Sequence, residues 1–247
     1  MKLIKNLLKK IPLIKRWKEK RNRKLNNQYE RDDFVIAELL KIPAGKLILD
    51  AGCGSQRYRE NCAHLVYKGQ DFGQYSTDTK KMMGSSGLGG EDGYQYGTLD
   101  YVGDIWDIKE QAGTFDAILC TEVFEHIPHP IETLKEFSRL LKKDGKLILT
   151  APSNCLRHMD PYFFYTGFTD RWYEKFLHDH GFKIEAITAV GDYYSWLAVE
   201  MARTSSNHSF FAKLALKPAF WFFYHKQKTQ TSIDTLCMGY HVVATKI

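Results

Sequence analysis

Short apolar runs and helical spacings alternate through most of this 247-residue chain. A short apolar run bounded by turn residues predicts a buried strand, and apolar positions three and four residues apart predict a helix. The predicted strands are 46–50, 65–71, 99–104, 115–121, 146–151, 183–190 and 238–246. The predicted helices are 27–42, 57–63, 131–141 and 169–180. This alternation predicts an α/β fold, a doubly wound and mostly parallel sheet of seven strands.

The first predicted strand leads directly into a glycine turn. Its apolar residues 47–49 end at Asp50, and Gly52, Cys53 and Gly54 follow. Glycines in such a turn adopt positive φ angles and let a ligand lie close against the main chain. In an open α/β sheet this crevice binds nucleotide-like cofactors. The turn is therefore the first candidate binding site.

Two classes of cofactor use such a turn. A dinucleotide site requires a third glycine in G-x-G-x-x-G, and Arg57 occupies that position here. An acidic residue two positions before G-x-G instead resembles motif I of the class I S-adenosylmethionine (SAM) methyltransferases. A turn that binds nothing is the remaining alternative, and matching signals at the neighbouring strands argue against it.

The resemblance to these methyltransferases covers roughly residues 42–190 and is closest to their small-molecule branch, called type 11. Its motifs include TEVFEHIPHP at 121–130 and LLKKDGKLILTAP at 140–152. The resemblance implies a Rossmann-like fold with an antiparallel last strand. It also implies that Asp71 accepts hydrogen bonds from the ribose of SAM, and that Asp104 and Ile105 lie at the adenine. The cofactor-binding residues implied are Asp50, Gly52, Cys53, Gly54, Asp71, Phe72, Asp104, Ile105 and Thr121.

The segment after the fourth strand contains E-x-x-E-H, with Glu122, Glu125 and His126. On a helical turn this spacing puts all three side chains on one face, and such donors suit Mg²⁺, Mn²⁺ or Zn²⁺. Similar runs form metal sites in some O-methyltransferases, among them ubiquinone-biosynthesis enzymes and small-RNA 2′-O-methyltransferases. In the RNA enzymes a further histidine follows the fifth strand, as His158 does here. The alternative is hydrogen bonding within the loop, without metal. The candidate metal ligands are Glu122, Glu125, His126 and His158.

Methylation of a hydroxyl requires removal of its proton by a base or a metal. The candidate catalytic residues are His126, His158 and Asp160. The aromatic residues 162–165 follow the fifth strand and are expected over the acceptor site, where they stack on a sugar or hold an apolar substrate. The alternative is that they form a hydrophobic collar.

Charge is unevenly distributed along the chain. The net charge is +6, but residues 1–24 alone hold eleven Lys or Arg and one Glu, so the remainder sums to −4. Apolar residues recur there at helical spacing, which favours a basic amphipathic helix on an anionic membrane, at about 1 kcal/mol per lysine. A solvated tail and an RNA-contacting arm are the alternatives.

The remaining segments set the expected domain organisation. Residues 193–232 form a helical insert rich in aromatic residues and lysines, typical of a membrane interface or of a cap buried on the domain. The glycine-rich segment 76–97 is expected to be a mobile loop. We therefore predict a basic extension at 1–26 and a methyltransferase domain at 27–247.

Five cysteines without a C-x-x-C pair favour free thiols in a reducing, cytoplasmic compartment. No apolar run reaches the roughly 18 residues of a membrane span.

We thus expect a cytoplasmic SAM-dependent enzyme, at the inner face of the membrane, that O-methylates a small molecule, a sugar or a lipid-linked glycan intermediate. The alternatives are a metal-dependent RNA 2′-O-methyltransferase, disfavoured by the acidic body, and a non-catalytic SAM-fold binding protein. The oligomeric state is not defined by the sequence.

Overall fold

The computed structural model describes residues 23–75, 96–206 and 209–247. The sheet contains β1 (Leu47–Ala51), β2 (Val66–Asp71), β3 (Tyr101–Val102), β4 (Phe115–Thr121), β5 (Leu141–Pro152), β6 (Phe182–Val190) and β7 (Gly239–Lys246). The α-helices with assigned bounds are α1 (Gln28–Leu39), α2 (Pro130–Leu140), α3 (Asp170–Asp179), α4 (Tyr193–Ser206), α5 (Phe210–His225) and α6 (Gln230–Thr235). Short 3₁₀ turns occur at Arg59–Cys62 and Phe124–His126.

The seven strands form one sheet in the order β3-β2-β1-β4-β5-β7-β6. β1, β2, β3, β4 and β5 pair in parallel, and β7 runs antiparallel to β5. The predicted fold class is confirmed, as is the antiparallel last strand. Strand order reverses between β1 and β4, which opens a crevice at the carboxyl ends of these strands.

Strand residues of the central sheet are buried on both faces. Ile48 packs in one cluster with Leu39 of α1. Its neighbour Leu49 packs in the other, with Leu134 of α2 and Leu177 of α3. Each fully buried aliphatic side chain contributes about 1.5–3 kcal/mol. The packing on both faces therefore fixes the positions of the strand ends. It thereby also fixes where the loops that follow them begin.

The third strand is shorter than expected. The prediction was 99–104, whereas β3 consists of Tyr101–Val102 alone. The Asp100 carboxylate accepts a hydrogen bond from the backbone N–H of Gly69 at 2.9 Å and pairs with Lys68 at 2.8 Å. The Asp100 side chain thus takes the place of a backbone partner in the pairing of the two strands. The pattern of apolar residues does not reveal such an exchange.

Two further local predictions were wrong. The helix expected at 57–63 is the single 3₁₀ turn Arg59–Cys62. The strand expected at 146–151 begins earlier: residues 142–145, which separate it from the helix predicted at 131–141, lie inside β5, where the pairing with β4 shifts register and Asp144 has a positive φ of 63°. Helix α2 therefore passes directly into an irregular strand, and these four residues form its bulge.

The described chain divides into two compact units. The sheet unit comprises Phe34–Ala189 and Gly239–Ile247. The helical unit comprises residues 23–33 and 190–238, so the helices of the predicted insert belong to it.

Most of the basic segment 1–24 and of the glycine-rich segment 76–97 lies outside the described residues. Within the described ranges, no helix is long and apolar enough to cross a membrane.

Asp50, at the end of β1, is a buried carboxyl in the sheet unit. Its Oδ2 accepts a hydrogen bond from the Tyr67 hydroxyl at 2.6 Å. Burial raises the pKa of Asp50 to about 7, the Tyr67 hydrogen bond opposes this rise, and the nearby charge of Asp71 adds to it. The sheet thus contains a carboxyl group that is costly to ionise.

We expect Asp50→Asn to stabilise the protein, and more so as pH rises. A carboxyl with a raised folded-state pKa lowers stability progressively between its unfolded pKa, near 3.8, and its folded pKa, near 7. The advantage of the amide should therefore grow by about 2 kcal/mol from pH 5 to pH 8, measured by urea denaturation. Tyr67→Phe, which removes the donor, should instead destabilise. An advantage independent of pH would contradict this account.

Candidate cofactor and acceptor site

A cavity of about 250 Å³ lies at the carboxyl ends of the strands in the sheet unit. Of the residues predicted from the sequence, it is lined by Gly52, Asp71, Phe72, Asp104, Ile105, Glu122 and His126. Tyr162 and Phe164, which belong to the aromatic residues 162–165 predicted over the acceptor site, also line it. The lining residues that were not predicted individually are Gln70, Gln74, Tyr75, Trp106, Val123, Ile127, Pro128 and Met159. Four loops, those after β1, β2, β3 and β4, therefore converge here with the segment after β5.

The glycine turn is fixed by the end of β2. The N–H of Gly52 donates to the backbone oxygen of Gln70 at 2.8 Å and to its Oε1 at 3.1 Å. The N–H groups of Gly54 and Gly73 donate to the two oxygens of Asp71, at 2.9 and 3.2 Å. Burial raises the pKa of Asp71, and these backbone donors oppose the rise. The carboxylate is thus held in place at the cavity wall.

Gly52 cannot carry a side chain in this arrangement. Its φ is +72°, and a Cβ atom would lie 2.4 Å from Cγ2 of Val123. Val123 also lines the cavity, and its branched side chain has little rotational freedom. The glycine is therefore required both by backbone conformation and by close packing at the cavity floor.

Gln70 is a site residue that sequence reasoning missed. It is buried, and its Nε2 donates to the backbone oxygen of Gly103 at 2.7 Å. Its two ends thus connect the glycine turn to the loop that carries Asp104 and Ile105. The available signal was a polar side chain at the carboxyl end of a buried strand.

Several predicted cofactor residues do not line the cavity. Asp50 and Cys53 are buried beneath the turn. Gly54 acts through its N–H bond to Asp71, and Thr121 lies in β4 beside Thr150. The structure places these four residues in the supporting layer, so their direct contact with a cofactor stays a prediction.

The E-x-x-E-H run does not form a single helical face. Glu122 has a φ of +53° and precedes the 3₁₀ turn Phe124–His126. Its carboxylate accepts a hydrogen bond from the Thr150 hydroxyl at 3.0 Å. The potential metal-ligating atoms of Glu125, His126 and His158 lie within 4.8 Å of one another. Three of the four predicted ligands are thus brought together, and Glu122 is separated because the backbone reverses after it.

Both histidines have a defined hydrogen-bond arrangement. Nδ1 of His126 lies 2.7 Å from the backbone oxygen of Tyr162, and Nδ1 of His158 lies 2.8 Å from that of Leu156. A carbonyl oxygen only accepts, so each Nδ1 carries a proton and each neutral ring has its lone pair at Nε2. Burial lowers the pKa of His126 to about 4, aided by His158 and opposed by the Tyr162 bond. His126 is therefore neutral at physiological pH.

The segment after β5 folds over the cavity. The N–H groups of Phe164 and Tyr165 donate to the backbone oxygen of Glu125, at 2.9 and 3.2 Å. The Tyr162 ring packs edge-on against Phe72, with 4.8 Å between ring centroids. Aromatic residues therefore lie beside the cavity, as expected for an acceptor site.

Asp160, in contrast, is not placed as a base. Its carboxylate pairs with Arg157 at 2.7 Å, and it does not line the cavity. The geometry therefore favours His126 over Asp160 among the predicted bases.

The charge of the cavity is negative. Asp71, Asp104 and Glu122 line it, and no Lys or Arg does so among the described residues. Such a wall attracts cationic ligands and disfavours phosphate and carboxylate groups. SAM carries a sulfonium and an ammonium group against one carboxylate, so its net charge is positive and fits this sign of charge.

Comparisons with known proteins agree with the site. The family described as "Methyltransferase domain" matches residues 19–197. The chain therefore belongs to the class I SAM-dependent methyltransferases, and the family prediction is confirmed. Among solved structures, a geranyl diphosphate C-methyltransferase from Streptomyces coelicolor A3(2) aligns with a TM-score of 0.53 at 14% identity, covering 89% of this chain and 79% of the other. At that identity the likeness supports the fold alone.

Curated relatives match over a shorter region. The ubiquinone biosynthesis O-methyltransferase of Xanthomonas axonopodis pv. citri is 36% identical over 122 residues, 49% of this chain and 48% of that protein. The protein of the same name from Vibrio campbellii is 29% identical over 146 residues, 57% of this chain and 54% of that protein. The chain thus spans about half the length of the curated relatives it matches.

We expect Gly52→Ala to weaken binding of S-adenosylhomocysteine at least tenfold in calorimetric titration, because the new methyl group displaces Val123. Gly45→Ala is a matched control: Gly45 has a similar φ of +79°, and its Cβ would meet nothing within 4 Å. Both variants carry about 1–2 kcal/mol of backbone strain, so only the first should lose affinity. Equal affinities in the two variants would refute the packing argument.

Proposed function

We propose that this protein transfers the methyl group of SAM to a hydroxyl group of a small, uncharged and largely apolar acceptor. The observation that carries the proposal is the position of His126, whose neutral imidazole lines the same cavity as the glycine turn and Asp71. The names of the matched relatives, which are O-methyltransferases, support the choice of oxygen as the acceptor atom.

The cofactor half of the cavity supports SAM in three ways. Asp71 offers carboxylate oxygens to the ribose hydroxyls, and Gly52 lets the cofactor lie against the backbone. Ile105, which is buried at the wall, supplies an apolar surface for the adenine ring. The negative wall is complementary to the sulfonium and ammonium groups. SAM is therefore the cofactor that this half of the cavity fits best.

The acceptor half is aromatic and carries no described cation. Tyr75, Met159, Tyr162 and Phe164 line it. An aromatic wall suits a phenol or another apolar alcohol, and can also stack on a neutral sugar ring. A glycan that is linked to a lipid through a pyrophosphate would bring phosphate groups to an acidic wall. RNA would do the same. We therefore place neutral acceptors ahead of lipid-linked glycans and RNA.

The chemistry requires positioning and control of one proton. SAM is already activated, so the protein must align the acceptor oxygen with the methyl group and exclude water. Nε2 of His126 bears the lone pair and can accept a hydrogen bond from the acceptor hydroxyl. The Tyr162 carbonyl holds the ring in this orientation. The remaining aromatic residues close the acceptor side.

A divalent cation fits the same region. Glu125, His126 and His158 offer one carboxylate and two imidazole donors, and each imidazole is oriented by a backbone oxygen, as is usual for metal-binding histidines. We propose these three residues, without Glu122, as its ligands. When bound, the cation would supply Lewis acidity that lowers the pKa of the acceptor hydroxyl.

Methyl transfer is tested with radiolabelled SAM against soluble phenols, catechols and neutral sugars. We expect turnover with a phenol or catechol, and at least a hundredfold loss of kcat/KM in Asp71→Ala, because the ribose loses its carboxylate partner. Asp107→Ala, which removes a surface carboxylate that pairs with Lys109, is the matched control and should be unaffected. SAM binding without transfer to any acceptor would favour the non-catalytic alternative.

Metal binding is tested separately by titration with Mn²⁺ alone. We expect His126→Ala and His158→Ala each to lower Mn²⁺ affinity at least tenfold, because each removes one ligand. His178→Ala is the control, since His178 is exposed on α3 and outside the cluster. Glu122→Gln should bind Mn²⁺ as the unmodified protein does. Absence of Mn²⁺ binding, or equal binding in all variants, would contradict the metal site and leave the methyltransferase proposal standing.

A further inference from the structure

The helical unit has a basic cavity of its own, of about 180 Å³. Its lining includes four cations, Arg23, Lys24, Lys226 and Lys228, and one carboxylate, Glu30. Asn27 and Ser195 add polar side chains. The excess of positive charge favours an anion there, the opposite of the cavity in the sheet unit.

The cations are held by the surrounding structure. Lys226 lies over the rings of Phe222 and Tyr194, at 4.6 and 5.8 Å from their centroids. Lys24 lies 4.7 Å from the centroid of the Tyr224 ring and donates to the backbone oxygen of Tyr224. Two of the lysines are thus positioned by aromatic faces, which leaves their charge available to an anion.

The other two cations are closer to carboxylates. Arg23 pairs with Asp33 at 2.7 Å. Lys228 lies near Asp192, whose pKa is lowered because hydrogen bonds from Ser195 and Ser232, together with Lys228, outweigh the effect of burial. The anion affinity of the cavity therefore depends chiefly on Lys24 and Lys226, with Lys228 in support.

Next to this cavity in the chain, α5 presents an exposed apolar stripe. Phe211, Leu214, Pro218 and Phe222 are spaced by three, four and four residues, which places them on one helical face. Phe211 is 79% exposed, and Leu214 and Phe222 are 58% and 57% exposed. Exposed aromatic residues at this spacing are the signature of a surface that meets an apolar phase.

Charge identifies the partner of that stripe. Helix α5 contains Lys213 and Lys217, both exposed, and no Asp or Glu. A cytoplasmic membrane leaflet combines an apolar interior with anionic headgroups, so it complements both features of the helix. A nucleic acid would complement the lysines, but it offers no apolar phase to Leu214 and Pro218.

We propose that the helical unit binds the surface of an anionic phospholipid bilayer. The exposed stripe of α5 enters the interface, and the basic cavity binds the phosphate of a lipid headgroup. Aromatic residues together with lysines are typical of helices that lie in this interface. The proposal does not depend on which acceptor is methylated.

The test is co-sedimentation of the full chain with phosphatidylcholine vesicles, with and without phosphatidylglycerol. We expect binding to the anionic vesicles that weakens with added salt. The double variant Lys226→Glu/Lys228→Glu should partition at least tenfold more weakly, because two attractions become repulsions. Phe211→Ser/Phe222→Ser should lose as much binding, even at low salt. Leu40→Ser and Lys143→Glu are matched controls in the sheet unit, where both residues are exposed, and should bind normally.

Retained S-adenosylhomocysteine binding shows that the sheet unit of each variant is folded, and an unchanged helical circular dichroism signal shows the same for the helical unit. The two controls together separate this test from that of methyl transfer. Failure of the unmodified protein to bind anionic vesicles at low salt would overturn the proposal. So would stabilisation of the protein by inorganic phosphate without vesicle binding, which would indicate a free phosphate ligand. Binding to single-stranded RNA that needs the lysines but not Phe211 and Phe222, with no vesicle binding, would overturn it in favour of a nucleic acid.

Discussion

The structure of the site depends on the hydrogen bonds between the turn after β1 and the end of β2. Gly52 and Gly54 donate to Gln70 and Asp71, so the polar groups at the end of one strand fix the loop of its neighbour. The same interaction leaves Asp71 facing the cavity and fixes the approach of the backbone to a cofactor. Because Gly52 packs directly against Val123, this turn also sets the position of the loop after β4, which carries the candidate catalytic groups. The same few contacts thus position both the turn after β1, at the candidate cofactor site, and the loop after β4, at the candidate acceptor site.

The second organising contact is the bond between His126 and the backbone oxygen of Tyr162. It fixes the orientation of the imidazole ring, and it ties the loop after β4 to the segment after β5. Burial keeps the ring neutral, so His126 fits either of the roles proposed for it, hydrogen-bond acceptor or metal ligand. These two roles need the same lone pair on Nε2. A bound cation and a direct hydrogen bond from the acceptor are therefore alternatives at that atom, and the presence of metal would move the acceptor toward the cation.

Much of the fold was predictable because its central strands are apolar and bounded by turns. β4 was predicted with its bounds as observed, and Thr169, the predicted first residue of the helix 169–180, is the N-terminal cap of α3. Two of the failures have local causes that the pattern of apolar residues does not show. Asp100 shortens β3 by binding Gly69, and the positive φ of Glu122 removes it from the helical face that its spacing suggested. In the site, the glycines and Asp71 follow from a local motif. The bond of Gln70 to Gly103 and that of Tyr162 to His126 join residues 33 and 36 positions apart, and a single sequence does not show which distant residues pair in this way.

The modest net charge of the chain conceals two local environments of opposite sign. The cavity of the sheet unit has carboxylates and no described cation, whereas that of the helical unit has four cations and one carboxylate. A cationic cofactor and an anionic surface are each attracted by one environment and repelled by the other. Screened charges interact mainly over about 8 Å at physiological ionic strength, so a ligand in either cavity responds chiefly to the side chains that line it. The proposed binding of an anionic surface by the helical unit is therefore compatible with a cationic cofactor in the sheet unit, although the two ligands carry opposite charge.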